Sequence, residues 1–316
     1  MKTSTLFILT FLSITATYFN ISAFSMNTML SQTKEKIASL FGANTRTEIV
    51  QQDIPRSTQK TLVIENNQGM IKIKTDWNQD IVSFKALKKA SKDNLAKITI
   101  QVDTSNPDII RLATTFAEDS VKGSVDYTLM VPKHMAVRLK TNKGTIKVKR
   151  FDGQVWATTE NGTIEIAHVT NKIIAQVVEN GSIKIEQSNG AIQAVTNNGD
   201  IAINDAKESV AATTTNGSIS LHAAHIPSTS SINLNAAGTL QVSLPQDTNA
   251  HLTAHAKKGK IFSDHYVTLA SQTTKLNNQA WNQIQKNIEG TLGTGEADIK
   301  LSSSEGSIKI LADTIA

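Results

Sequence analysis

Residues 159–166 read Thr-Glu-Asn-Gly-Thr-Ile-Glu-Ile, and the phrase returns three times. It stands as Val-Glu-Asn-Gly-Ser-Ile-Lys-Ile at 178–185, Thr-Asn-Asn-Gly-Asp-Ile-Ala-Ile at 196–203 and Thr-Thr-Asn-Gly-Ser-Ile-Ser-Leu at 214–221. Its central glycines, Gly162, Gly181, Gly199 and Gly217, are 19, 18 and 18 residues apart. A short fixed period marks a stacked array, in which each unit buries its apolar face against the next.

Two and four residues after each glycine stand aliphatic pairs: Ile164/Ile166, Ile183/Ile185, Ile201/Ile203 and Ile219/Leu221. Seven and five residues before it stand Val155/Ala157, Ile192/Ala194 and Val210/Ala212. The unit at 174–178 breaks step: Ile174/Gln176 fits poorly, and Ala175/Val177 fits after a slip of one residue. Period-two alternation with β-branched residues signals strands, so each unit holds two short strands around an Asn-Gly corner. Glycine suits the corner because it accepts positive φ without a Cβ clash, and Asn tolerates it better than most residues. Positive φ is therefore expected at the Asn-Gly corners, and structural corners are placed at Gly69, Gly144, Gly162, Gly181, Gly199, Gly217, Gly238, Gly259 and Gly306.

Two folds compete for this pattern. Asn-Gly between alternating strands is also a strong hairpin signal, which would give an antiparallel β meander. Recurrence of like residues with like polarity favours an all-β, parallel β-solenoid (β-helix) with coils of about 18 residues. In such a stack the residues after the glycines, Thr145, Thr163, Ser182, Asp200, Ser218 and Thr239, form a mostly hydroxyl ladder at about 4.8 Å spacing.

Around this array the chain divides as follows. Residues 1–25 have the form of a signal peptide, with Lys2, an apolar run from Leu6 to Ile14 and small residues near Ala23 and Ser25. Read instead as an anchor, the run is short for a membrane span. Residues 26–44 hold a short amphipathic helix and linker, with Leu30, Ile37, Leu40 and Phe41 near one face. Residues 45–132 form an N-terminal β part with strands expected at 47–51, 61–66, 70–75, 81–87, 96–102, 109–114 and 124–131. Residues 133–316 form the repeat solenoid, interrupted at 263–297 by a polar insertion carrying Trp281 and Ile284. With no cysteine in the chain, stability must come from burial and backbone pairing.

The motifs Asn67-Gln68-Gly69-Met70-Ile71-Lys72-Ile73, Leu129-Met130-Val131-Pro132-Lys133 and the Asn-Gly-x-Ile-x-Ile series, closed by Gly290 to Ile310, follow one another in a specific order. In this the chain resembles the bacterial putative-adhesin family of exported β-solenoid domains over about residues 46–316. The resemblance implies a periplasmic, cell-surface or secreted location and brings no catalytic residues.

The residues themselves point away from an enzyme. Glu165, Glu186, Asp200 and Asp205 come from different units and neighbour Lys147 and Lys184, as in an ordinary charge ladder. His222/His225 and His251/His255 have helical metal spacing, but on strands the i, i+4 pair stands about 13 Å apart. No cofactor and no metal site is expected. Net charge is +5 with the charges scattered singly, so a nucleic-acid partner is not expected. The expected role is a non-catalytic adhesion or binding module of the cell envelope, not integral to the membrane after signal cleavage, with a surface glycan or envelope protein as partner. An envelope scaffold or stress-response component without a ligand is the alternative, and a polysaccharide-active enzyme a lesser one. Counting outward from the inward pairs gives an apolar outer face at Trp156, Val177 and Val195, which something should cover.

Overall fold

The computed structural model describes residues 45–75, 79–270 and 285–313. The expected signal segment and the helix at 27–41 lie outside them, as do Trp281 and Ile284.

Alternation puts Val155, Ala157 and Thr159 on one side of a strand, and Ile164 and Ile166 on one side of the next; all five are buried. The two strands, Val155–Asn161 and Ile164–Val169, belong to different sheets. Val155 pairs in parallel with Val137 and Ile173, and Ile164 with Ile146 and Ile183. Like therefore stacks on like, and the meander is excluded. The chain is a two-sheet β-solenoid, with the aliphatic side chains of both sheets meeting between them.

The N-terminal strands are β1 (Thr45–Pro55), β2 (Thr61–Gln68), β3 (Ile71–Lys74) and β4 (Ile81–Ser91). A short helix, α1 (Lys92–Leu95), leads to β5 (Ile98–Asp103), β6 (Ile109–Phe116) and β7 (Gly123–Met130). The regular coils are β8 (Ala136–Lys143) with β9 (Ile146–Phe151), β10 (Val155–Asn161) with β11 (Ile164–Val169), and β12 (Ile173–Asn180) with β13 (Ile183–Ser188). Next come β14 (Ile192–Asn198) with β15 (Ile201–Ala206), β16 (Val210–Asn216) with β17 (Ile219–Ala223), and β18 (Ser231–Ala236) with β19 (Leu240–Leu244). The chain finishes with β20 (Ala250–Ala256), β21 (Ile261–Ser263), β22 (Thr268–Leu269), β23 (Asn287–Leu292), β24 (Ala297–Ser303) and β25 (Ile308–Ala312).

Among the described residues, a 12-stranded sheet runs β1-β4-β7-β3-β9-β11-β13-β15-β17-β19-β25-β21. A 13-stranded sheet runs β22-β23-β20-β24-β18-β16-β14-β12-β10-β8-β2-β6-β5. Sequence order and spatial order agree through the middle and part at both ends. The coil β6/β7 lies outside β2/β3, so β2/β3 abuts β8/β9 directly. The last coil, β24/β25, enters between β18/β19 and β20/β21. Antiparallel strands close three of the four outer edges: β4 and β1 on β7, β5 on β6, and β23 and β22 on β20, while the short parallel strand β21 ends the 12-stranded sheet.

The corner glycines form a column because the coils approach too closely for a side chain. A Cβ on Gly144, Gly162, Gly181 or Gly199 would stand 2.0, 1.9, 1.7 or 1.9 Å from the carbonyl oxygen of the preceding corner glycine. Positive φ holds at Gly69, Gly144, Gly162, Gly181 and Gly199, at values from 125° to 149°. The expectation fails at the Asn-Gly corner Gly217; there, and at the corners Gly238, Gly259 and Gly306, crowding alone demands glycine. The Asn beside the glycine contributes its side chain: Asn180 Nδ2 donates to Asn161 Oδ1 (3.0 Å) and Asn216 Nδ2 to Asn198 Oδ1 (2.8 Å).

Six residues past four of these glycines the chain takes positive φ without glycine, at Arg150, His168, Gln187 and Asp205. The next residues, Phe151, Val169, Ser188 and Ala206, are buried. The left-handed residue thus turns the strand end inward to close the coil.

Candidate functional site

The outer face of the 13-stranded sheet is built by register. Parallel pairing aligns Arg138, Trp156, Ile174, Gln193 and Ala211 in one row across β8, β10, β12, β14 and β16. The adjacent row is Lys140, Thr158, Gln176, Val195 and Thr213. Strands at about 4.8 Å spacing make each row a close-set track on a rigid base. Trp156, Ile174 and Val195 are half-buried by their neighbours, and the Arg138 guanidinium lies over the Trp156 ring at 5.0 Å from its centroid. That stacking covers one side of the indole with a cation, and the amides of Gln176 and Gln193 stand exposed on the same sheet face.

Val177 does not belong to this face. It is 1% exposed and pairs with Thr159 and Thr196 inside the core, and Ala175 points inward with it. The coil of Gly181 holds one extra residue between Val177 and Asn180, where the register shifts. This explains the 19-residue spacing and turns Ile174 outward in place of Val177. The described parts of 263–297 extend the sheet in its plane at the far end, as β22 and β23, and do not lie over Trp156.

The carboxylates singled out in the sequence do not converge. Glu165 pairs with Lys147 at 2.8 Å and Glu186 with Lys184 at 2.7 Å. The Lys184 hydrogen bond and charge hold the Glu186 carboxyl below its ordinary pKa, and the lysine is raised in return. Asp200 Oδ1 accepts from the Ser218 N–H, and the Asp205 N–H donates to His222 Nδ1. His222 Nε2 meets Asp313 at 3.1 Å. Among the described residues no three His, Asp or Glu side chains gather to hold a metal.

A cleft at the C-terminal end is lined by Asp247, Asn249, Asp264, His265 and Tyr266. Part of its polar lining is engaged within the chain: Asn249 Oδ1 accepts from the N–H groups of Thr294 and Gly295, and His265 Nε2 lies 3.3 Å from the Leu311 carbonyl. It holds no nucleophile–base pair.

An inward column three residues before the corners was missed in the sequence because its members are polar. Thr141, Thr159, Thr196, Thr214 and Ser303 are buried there. Thr214 Oγ1 donates to the Gly199 carbonyl at 2.8 Å, Thr196 Oγ1 to that of Gly181 at 3.2 Å, and Ser303 Oγ to that of Gly238 at 2.8 Å. The signal was present as the recurring hydroxyl at a fixed offset.

Two long, mostly parallel sheets around an aliphatic interior define a two-sheet β-solenoid. The sequence matches the Toastrack DUF4097 family over residues 128–311, and the chain belongs to that family. Among solved structures, a putative adhesin from Bacteroides fragilis is similar at 13% identity, covering 84% of this chain and 97% of that one with a TM-score of 0.43. A putative cell adhesion protein from Clostridium sporogenes is similar at 8% identity, covering 85% and 100%, with a TM-score of 0.28. A putative adhesin from Parabacteroides distasonis is similar at 11% identity, covering 83% and 97%, with a TM-score of 0.26. No protein of curated function matches the chain.

Proposed function

We propose that the chain is an exported, non-catalytic binding module of the cell envelope, and that the Trp156 face takes an extended surface glycan. The observation that carries this reading is the outward Trp156 ring, stacked by Arg138, with the amides of Gln176 and Gln193 and the hydroxyls of Thr158 and Thr213 on the same face. An indole offers a flat apolar platform to the C–H face of a sugar ring, and flanking amides both donate to and accept from its hydroxyls. A rigid sheet presents these groups without an ordering cost at binding. Family membership and the ion-paired carboxylates support a role without catalysis. Among the described residues no helix is long and apolar enough to cross a membrane.

A glycan array probed with the full chain and with Trp156→Ala tests the reading. The expected result is retention of a defined glycan class by the parent and at least a tenfold loss in the variant, with unchanged thermal unfolding. Equal retention by both would move the site elsewhere. No retention by either would favour a scaffold without a ligand.

A further inference from the structure

The opposite outer face, on the 12-stranded sheet, carries a different chemistry. Strand pairing aligns Gln51, Lys85, Thr128, Lys72 and Lys147 in one row across β1, β4, β7, β3 and β9. The row beside it runs Asp53, Ser83, Met130 and Lys74, and Lys149 continues it on β9. Lys72 thus stands directly opposite Lys147, an arrangement that disfavours the sheet because like charges face each other about 5 Å apart. Further along the same sheet the array avoids this, alternating Lys147, Glu165 and Lys184. At the β4–β9 end the alternation stops. Lys72, Lys74, Lys85 and Lys149 make no ion pair among the described residues. The acids that approach are Glu165 on Lys147, Asp126 on Lys89 at 2.6 Å, Glu186, which feels Lys149, and Asp53 at the rim.

We infer that this lysine face docks on an anionic lipid surface. Three observations select a membrane over a soluble polyanion. The cations occupy two rows on a flat sheet, so they address a plane, whereas a linear polymer would engage one row. Met130 sits among them, and the next row brings Leu87 and Ile49, the latter 56% exposed, so apolar side chains share the face. Such side chains gain from the boundary between headgroups and acyl chains and gain little from a dissolved polyanion. The surrounding lysines are drawn to negative headgroups, each adding about fivefold to the affinity. The Trp156 face points the opposite way, so the glycan reading and this one stand or fall separately.

Cosedimentation of the full chain with vesicles of phosphatidylcholine, alone or mixed with phosphatidylglycerol, is the test. The parent should partition to the anionic vesicles and be released by salt. The triple variant Lys72→Glu/Lys74→Glu/Lys149→Glu should lose about a hundredfold or more of that partitioning. Lys133→Glu/Lys172→Glu/Lys207→Glu makes the same change in net charge at exposed turn positions and should keep it within about threefold. Circular dichroism checks that both variants fold. Equal losses in the two variants would reduce the effect to net charge, and an unaffected face variant would leave the first 44 residues as the binding element; either overturns the proposal. So would preferential binding of soluble polyphosphate that vesicles cannot displace, which would assign the face to a linear polyanion.

Discussion

The carbonyl oxygen of Gly162 occupies the place where a side chain on Gly181 would begin: a Cβ there would lie 1.7 Å from it, with φ at 146°. Backbone meets backbone at this point, so neither partner has a side chain that can swing away. Gly181→Ala should therefore cost at least about 2 kcal/mol, combining an unfavourable φ with separation of two coils. Gly293→Ala is the comparison, since φ is 61° and the nearest atom is a side-chain oxygen at 3.1 Å; about 1 kcal/mol is expected there. Urea denaturation of both variants measures the difference, and equal losses would contradict the stacked-backbone account.

The buried hydroxyl column yields a prediction of opposite signs. Thr214 Oγ1 donates to Gly199 at 2.8 Å, whereas Thr159 Oγ1 is buried without a partner. Thr214→Val should lose about 1 kcal/mol, and Thr159→Val should be neutral or stabilising, because it removes an unsatisfied polar atom at constant shape. Thermal unfolding of the pair decides; a larger loss at Thr159 would mean that its hydroxyl is satisfied in solution.

These residues also mark how far the sequence could be read. Glycine spacing and the alternation around Ile164/Ile166 disclosed the parallel stack, since like-on-like pairing needs only a period and a face. Trp156 and Val195 followed from the same alternation. Val177 did not, because one extra residue in its coil moves the strand by a step, and a one-residue slip exchanges faces. The Thr141–Thr214 column went unread because hydroxyl side chains carry no apolar signal, although those of Thr141, Thr196 and Thr214 turn inward to backbone carbonyls. The lysine rows were invisible, because Lys85, Lys72 and Lys147 come from separate strands and β7 enters between the first two. The exchange of coils at the ends was hidden for a similar reason. Lys258-Gly259-Lys260-Ile261 and Glu305-Gly306-Ser307-Ile308 satisfy the corner pattern equally well, so local sequence cannot rank their order in the stack.

Tyr127 gives a pH signature. Its ring packs near Phe84, its hydroxyl shares a hydrogen bond with Thr114 at 2.7 Å, and burial pushes the phenol up to about 12 from 10.0. Below pH 10 both folded and unfolded chains keep the proton and the contribution is fully present. Between pH 10 and 12 the unfolded chain loses it first, so stability falls by about 2–3 kcal/mol across that window. Tyr127→Phe should remove this part of the alkaline slope. Parallel slopes for parent and variant in urea titrations above pH 10 would refute the assignment.

Removal of residues 296–316 should expose the coil that depends on them. The coil β20/β21 has β24 and β25 as its parallel neighbours, and β24 bridges it to β18. Hydrogen exchange should show loss of protection over 250–263 with protection retained over 136–223. Protection retained at both would mean that β20/β21 can dock directly on β18/β19.

The exchanged coils also fix where such a chain can grow. At the N-terminal end both sheets finish in antiparallel strands, and at the C-terminal end the 13-stranded sheet does; such strands recur nowhere in the middle. A unit added beyond these antiparallel strands would find no parallel coil of its own kind to stack on, whereas a unit of 18 residues duplicated between Val155 and Leu221 would meet the corner glycines and hydroxyls it needs on both sides. Length in this architecture is therefore a property of the interior: gene duplication, or a designer, can lengthen the rack from the centre while the two finished ends move apart unchanged.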